Sequence, residues 1–284
     1  MERWSRSDVV EYLGSIPAPR VVLVRGTLVS LANLFLLKDL EDTHFVYVDT
    51  WVDAPWVRSY VLSIAARYGI ELVSLNPPWK FFGYVVGRGY PRPTEAFRWH
   101  TRRLYVEPLK RYVEENDVGS VILDSRVFDL PPEKRVPAFS TVQRGVGYME
   151  RSSVGVPVYF PFALATIGDV KEVVREYLPP GLFSLFSIAP RANCWLCDLP
   201  YQRSHLQFSN YLGAHDLLSF HDFYVRGSVD PENRIVDEVG YPRSLRPEFR
   251  VQFYSRYQSL ATRLNSVVPE YLPLLPPLEV LQAF

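Results

Sequence analysis

Short apolar runs alternate with stretches of helical period through the first half of the chain. Patterns typical of buried strands occur at residues 21–24, 45–48, 71–75 and 121–123. Helix-period stretches lie between them, at about 29–40, 55–68 and 101–115. Parallel strands need crossover connections of this kind, and such connections are right-handed. The pattern therefore predicts an α/β fold built on a doubly wound, mostly parallel sheet.

Beyond about residue 130 the pattern changes to prolines, glycines and short apolar segments. Helices are predicted at 167–177 and 247–267, and the tail after them is apolar and rich in proline. We expect this tail to dock on the body of the protein, on a protein partner or on a second copy. The sequence predicts two domains, an α/β domain at 1–180 and a smaller, mainly helical and irregular region at 181–284 that packs on it.

Composition narrows the class of protein. With 284 residues, 48% of them apolar and 22% charged, the chain is long and apolar enough for a globular core. Its 31 basic and 31 acidic residues balance, so net charge does not indicate a nucleic-acid partner, and any such partner depends on local basic clusters. The sequence has no export signal, no membrane-spanning apolar run and only two cysteines. We expect a cytoplasmic protein that does not enter membranes.

Polar residues follow the predicted strands where parallel sheets of this type bind ligands. The loop Arg25-Gly-Thr-Leu-Val-Ser30 follows the first strand, Asp49-Thr50 the second and Asp124-Ser-Arg126 the fourth. A glycine turn that leads into a helix presents backbone N–H groups to a phosphate. Gly26 is equally compatible with a tight turn that binds nothing.

A basic string stands before the third crossover helix. It reads Phe97-Arg-Trp-His-Thr-Arg-Arg-Leu-Tyr-Val-Glu-Pro-Leu109, with three arginines in six residues. Arginines at a helix N-terminus oppose the helix dipole, which favours a functional reason for them, such as holding a polyanion. A solvated basic helix start is the alternative.

This string resembles the RWCTRRLKIEPL motif of the phosphoadenylyl-sulfate (PAPS) reductase family, within the PP-loop, adenine nucleotide alpha-hydrolase-like superfamily. Phe45-Val-Tyr-Val-Asp-Thr50 resembles the VDT motif of that family, and the resemblance extends over about residues 20–200. It implies that an adenine nucleotide such as ATP is bound. The residues implied are Arg25, Gly26, Thr27, Ser30, Asp49, Thr50, Arg102, Arg103 and Arg126.

Two departures from the family limit what the resemblance implies. The SGGKDS phosphate loop of the family is here Arg25–Ser30, with Leu28 and Val29 in place of its Lys and Asp. The chain also has no cysteine after Cys197, whereas the reductases use one in a C-terminal tail. We expect a nucleotide-binding protein that transfers adenylyl or sulfur groups to an unknown acceptor and is not a thiol-dependent reductase. The alternative is a catalytically inactive member that serves as a binding or assembly subunit.

The cysteine pair Cys194-Trp-Leu-Cys197 resembles one found in many archaeal members of the family. Members with a metal site combine such a pair with the Cys of the RWCT motif, whose place is taken here by His100. Thiolate and imidazole donors suit zinc better than an iron–sulfur cluster. The expected fourth ligand is His205, with Asp198, His215 and His221 as alternatives. A site without metal, with both cysteines simply buried, is the other interpretation.

Overall fold

The computed structural model describes residues 4–50, 55–79, 84, 99–126, 141–178, 183, 232, 234–236, 242–249, 251–252, 255–256 and 259. Its strands are β1 (Arg20–Leu23), β2 (Thr43–Val48), β3 (Leu72–Leu75), β4 (Ser120–Ile122), β5 (Thr141–Gln143), β6 (Val146–Met149), β7 (Val158–Phe160), β8 (Arg234–Val236) and β9 (Pro242–Leu245). Its α-helices are α1 (Arg6–Gly14), α2 (Leu28–Leu37), α3 (Pro55–Arg67), α4 (Glu107–Glu115) and α5 (Ile167–Arg175). A helical turn, Trp99–Thr101, and a π-helical turn, Arg102–Val106, precede α4.

Seven strands form one sheet in the order β3-β2-β1-β4-β7-β6-β5. The first five strands of this order are parallel, with Val22 aligned to Phe45 on β2 and to Ile122 on β4. β6 and β5 continue the sheet as an antiparallel hairpin beside β7. The predicted α/β fold class is confirmed, because crossover helices separate the parallel strands. β8 and β9 form a separate antiparallel pair.

The hairpin β5–β6 and the strand β7 lie in the part of the sequence where no strand pattern was recognised. Arg144 and Gly145 join the hairpin with positive φ values of 49° and 80°. A two-residue connection of this kind matches the right-handed twist of antiparallel strands. The strands are only three or four residues long, which is too short to show a clear alternation of apolar and polar side chains.

Both faces of the parallel strands are covered. Val21, Val46 and Val121 pack with Leu109 and Val113 of α4 in one buried cluster. The intervening residues of the strands, such as Val22 and Ile122, are also fully buried. This accounts for strands that read as continuous apolar runs.

The helix α2 is buried along its whole length, all ten of its residues being inaccessible or nearly so. It packs against α5, and Phe35 stacks on Tyr177 with ring centroids 4.4 Å apart. Tyr68, just after α3, packs edge-on against the same phenylalanine. The start of α2 is therefore held in a fixed position relative to the sheet.

The chain divides into two compact units. The first contains Met1–Asp49, Trp56–Leu75 and Tyr105–Asn193, and the second contains Thr50–Pro55, Asn76–Leu104 and Cys194–Phe284. The partition at residue 180 that the sequence suggests stays a prediction. Among the described residues, no helix has the length and apolar character needed to cross a membrane.

Candidate functional site

The loop after β1 turns the chain from the sheet into α2. Gly26 adopts a φ of +71°, a left-handed conformation that glycine reaches without steric cost. Thr27 then caps α2, because its side-chain oxygen accepts a hydrogen bond of 2.9 Å from the Ser30 N–H. The Ser30 hydroxyl donates in turn to the Thr27 carbonyl at 3.0 Å. The loop is fixed by its own side chains.

The carboxylate of Asp124, just after β4, contacts this loop. The side chain of Asp124 is only 2% exposed. Leu123 alone separates it from the last residue of β4. The Asp124 Oδ1 accepts hydrogen bonds from Arg25 Nε at 3.0 Å and from Arg25 Nη2 at 2.5 Å. Its Oδ2 accepts one of 2.6 Å from the Thr27 hydroxyl. We call Arg25, Thr27 and Asp124 the loop network.

The loop network lies at the point where the strand order reverses. β2 and β3 extend from one side of β1, and β4 and β7 from the other. Open α/β sheets bind ligands beyond the carboxyl ends of their strands at such a switch point. The loop network therefore stands where this type of sheet takes a ligand.

Asp124 is the site residue that sequence analysis did not select. The strand pattern placed it at the end of the fourth strand, but its contact with Arg25, 99 residues away, depends on β4 lying beside β1. The sequence does not fix that neighbour relationship. A carboxylate directly after a buried strand was the available signal.

Leu28 and Val29 have no access to a ligand. Both side chains are buried, Leu28 completely. These are the positions where the family loop carries Lys and Asp. Thr27 and Ser30 are buried as well, and their hydroxyls bond within the loop network and the loop backbone, so the first turn of α2 brings no cation to the site.

Two further predicted residues lie at the carboxyl ends of these strands. Arg126 is buried and donates to the Ala165 carbonyl at 3.3 Å. Asp49 follows β2, its N–H bonds to the Leu75 carbonyl at 2.9 Å, and its carboxylate lies 3.8 Å from Arg58 Nε on α3. Arg58 was not among the residues selected from the sequence.

The part of the basic string up to Leu104 belongs to the second unit, and the part from Tyr105 belongs to the first. His100 is buried in the helical turn before the π-helical turn. Arg102, which is exposed, and Arg103, which is half-buried, occupy the start of that π-helical turn. The arginines were expected to open a regular α-helix, so the wider turn corrects that expectation. Turns of this kind recur at functional sites in proteins. Thr50, also in the second unit, is fully buried.

Of the predicted metal ligands, the structure describes His100. Cys194, Cys197 and His205 lie outside the described residues, as do Asp198, His215 and His221. Within the described part of the chain, no three histidine, cysteine or acidic side chains converge. The zinc site stays a prediction.

Comparison with known proteins finds distant relatives. No family model matches the chain. Uncharacterized protein MJ0973 of Methanocaldococcus jannaschii is 26% identical over 125 residues, which is 43% of this chain and 28% of the relative. Uncharacterized protein MJ0066 of the same organism is 31% identical over 109 residues, which is 38% of this chain and 22% of the relative. The chain thus spans about a quarter of the length of these curated relatives.

Two solved structures are similar to the chain. One is a PAPS reductase from Candida auris in a phosphate complex, with 17% identity, a TM-score of 0.47 and coverage of 64% of this chain and 85% of that chain. The other is the U34-tRNA thiolase NcsA from Methanococcus maripaludis with its [4Fe-4S] cluster, with 12% identity, a TM-score of 0.47 and coverage of 83% and 82%. A PAPS reductase is thus among the structures that the chain resembles, as the sequence analysis expects.

Proposed function

We propose that this protein binds an adenine nucleotide, with a phosphoryl group seated beside the loop network at the carboxyl ends of β1 and β4. The observation that carries the proposal is the position of this network. A glycine turn, a helix N-terminus and an arginine meet where the strand order of the sheet reverses. Backbone N–H groups and the positive end of the helix dipole favour an anion there.

The proposal assigns roles to the residues selected from the sequence. Arg25 and the glycine turn at Gly26 face the phosphoryl group, and the buried Thr27 and Ser30 hold the loop in shape behind them. Arg126, which follows β4, is the further arginine assigned to the phosphate. Asp49, which follows β2, is assigned to the nucleoside. Thr50, Arg102 and Arg103 belong to the second unit and stay predicted nucleotide ligands.

Catalysis is the less supported part of the family resemblance. The buried side chains of Leu28 and Val29 leave the loop without the Lys and Asp that accompany ATP cleavage in the family. We propose that any reaction is a transfer of an adenylyl or sulfur group to an acceptor, with the arginines stabilising phosphate charge. Reduction of PAPS by a tail thiol is not proposed, because no cysteine follows Cys197.

A zinc ion bound by His100, Cys194, Cys197 and His205 remains part of the proposal. Two thiolates and two imidazoles form a donor set that suits tetrahedral zinc. The metal would stabilise the fold around the cysteine pair.

One observation favours a second candidate function. Asp124 already satisfies Arg25 and Thr27, so the loop is stable without a ligand. A family member that has lost its reaction and serves as a binding or assembly subunit would have such a closed loop.

Calorimetric titration of the full chain with AMP, ADP and ATP distinguishes nucleotide binding from the second candidate function. We expect at least one of them to bind, and Arg25→Ala to weaken that binding about tenfold, the loss of one charge-assisted phosphate contact. Arg175→Ala, an exposed arginine in the last turn of α5, is the matched control and should bind as the unmodified chain does. Absence of binding by all three nucleotides would contradict the proposal and leave the second candidate.

A further inference from the structure

Asn33 is the only amide side chain of α2, whose ten residues are all buried. Ser30 is the only other polar residue of this helix, and its hydroxyl bonds back to the Thr27 carbonyl. The amide of Asn33 reaches the end of β4 instead, where its Nδ2 donates to the Leu123 carbonyl at 3.1 Å. Asn33 thus links the middle of α2 to the residue that precedes Asp124.

The amide oxygen of Asn33 has no hydrogen-bond partner among the residues that the structure describes, and the side chain is inaccessible to water. A buried acceptor without a partner destabilises the folded state. Leucine, which occupies the fully buried positions Leu31 and Leu34 of the same helix, carries no such cost. The bond to Leu123 is what an asparagine provides at this position and a leucine would not.

The Leu123 carbonyl and the Asp124 N–H belong to one planar peptide group. Leu123 is held from two sides, because its N–H donates to the Tyr159 carbonyl of β7 at 2.9 Å and its carbonyl accepts from Asn33. A peptide plane fixed in this way sets the direction in which the next side chain leaves the backbone. That side chain is the carboxylate of Asp124, which accepts hydrogen bonds from the rest of the loop network.

Two contacts therefore attach α2 to the end of β4. Thr27 bonds to the Asp124 carboxylate, and Asn33, six residues later, bonds to the Leu123 carbonyl. The two contacts are spaced about 9 Å apart along the helix axis at the usual rise per residue. Asp124 cannot move relative to α2 without breaking one of them.

We infer that Asn33 is a positioning residue for Arg25, because by holding the Leu123 peptide it keeps the Asp124 carboxylate directed at the guanidinium. The inference rests on the proposed function, in which Arg25 faces the phosphoryl group, and adds to it the residue that sets the orientation of that arginine. An arginine whose direction is fixed before the ligand arrives loses less side-chain entropy on binding.

The test is a double-mutant cycle between Arg25→Ala and Asp124→Ala, measured as the equilibrium constant of unfolding in urea. In the unmodified chain the coupling between the two side chains should change that constant by at least about tenfold, as a charge-assisted pair does. The same cycle on an Asn33→Leu background should give less than about threefold, because a pair that is no longer held in direction behaves like one at the surface.

Leu34→Met is the matched control, because it also exchanges one fully buried side chain of α2 for another of similar volume. It should leave the coupling unchanged. If leucine prevents folding at position 33, Asn33→Ala takes its place with Leu34→Ala as control, and the same loss of coupling is expected.

Titration with AMP, ADP and ATP gives the second readout. Asn33→Leu should weaken the nucleotide that binds most tightly by about three- to tenfold, the cost of ordering one long side chain on binding. Leu34→Met should leave that affinity as it is.

The outcomes separate this inference from the proposed function. If none of the three nucleotides binds to the unmodified chain, the proposed function is wrong, whereas the coupling still decides whether Asn33 orients Arg25. A coupling that is unchanged in both Asn33→Leu and Asn33→Ala would overturn the positioning role. Reduced coupling with unchanged or higher nucleotide affinity would overturn it as well, because the orientation of Arg25 would then not serve the ligand.

Discussion

An arginine lies at each end of β1, Arg20 at the amino end and Arg25 just after the carboxyl end. The two side chains have different kinds of partner. At the amino end, buried Arg20 donates to the backbone carbonyls of Leu13, Gly14, Ile16 and Glu41 over 2.7–3.1 Å. At the carboxyl end, partly exposed Arg25 bonds to a carboxylate. Carbonyl partners belong to the backbone and cannot move away separately, whereas a carboxylate can exchange its partner with a bound anion. The amino end of β1 therefore holds α1 in place, and the carboxyl end is suited to binding a ligand.

The largest loss of stability is expected for Arg20→Ala. It leaves four carbonyl groups without their donor, two of them in buried and two in partly buried hydrogen bonds, and should lower the free energy of unfolding by about 3–5 kcal/mol. Urea denaturation followed by circular dichroism measures the change, with exposed Arg175→Ala as control. A loss no greater than that of Arg25→Ala would contradict the assignment of the two ends.

A smaller effect is expected from Gly119→Ala, also at the amino end. Gly119 precedes β4, and its N–H donates to the Pro19 carbonyl at 2.8 Å. An added Cβ would lie 2.8 Å from the Ala18 carbonyl oxygen and 2.9 Å from the Pro17 carbonyl carbon. Because backbone must move to accept it, we expect a loss of about 1–3 kcal/mol in urea denaturation. Nucleotide affinity of the folded protein should not change, and a parallel drop in affinity would show that the two ends are coupled.

The smallest expected effect concerns α1, which Arg20 holds. The ring of Tyr12 on α1 packs edge-on against Tyr159 of β7 at 6.2 Å. Burial, with the nearby Tyr12 and Tyr148, raises the pKa of Tyr159 from 10.0 to about 12. A raised pKa means that stability is complete below pH 10.0 and falls as the pH rises toward 12.

We expect the free energy of unfolding to decrease by about 1–2 kcal/mol over that interval, and Tyr159→Phe to remove most of the decrease. Chemical denaturation at several alkaline pH values provides the measurement. Tyr12, which packs on Tyr159, and Tyr112 on α4 also have raised pKa values and leave a residual slope. An unchanged slope in Tyr159→Phe would mean that Tyr159 is accessible to water.

The sequence predicted four of the five parallel strands closely, most clearly β1, β2 and β4, which are continuous apolar runs, and it missed the short strand β7. The first strand was predicted at 21–24 and is observed at Arg20–Leu23, and the fourth at 121–123 against Ser120–Ile122. Both ends of β1 were less accessible to prediction. Nothing local indicates that Arg20 turns back to the carbonyls of α1, or that Arg25 meets a carboxylate from β4. Such contacts depend on strand order, which the sequence does not state.

The complete burial of α2 restricts how the loop before it could ever change. Leu28→Lys and Val29→Asp together would introduce a charged pair into the loop, but both side chains would start inside the core. A buried charge without a partner costs several kcal/mol, roughly as much as a domain of this size can lose. Accommodating such a pair would therefore require the helix to shift or its neighbours to be rebuilt first. The apolar packing of α2 thus opposes any charged side chain at these two positions.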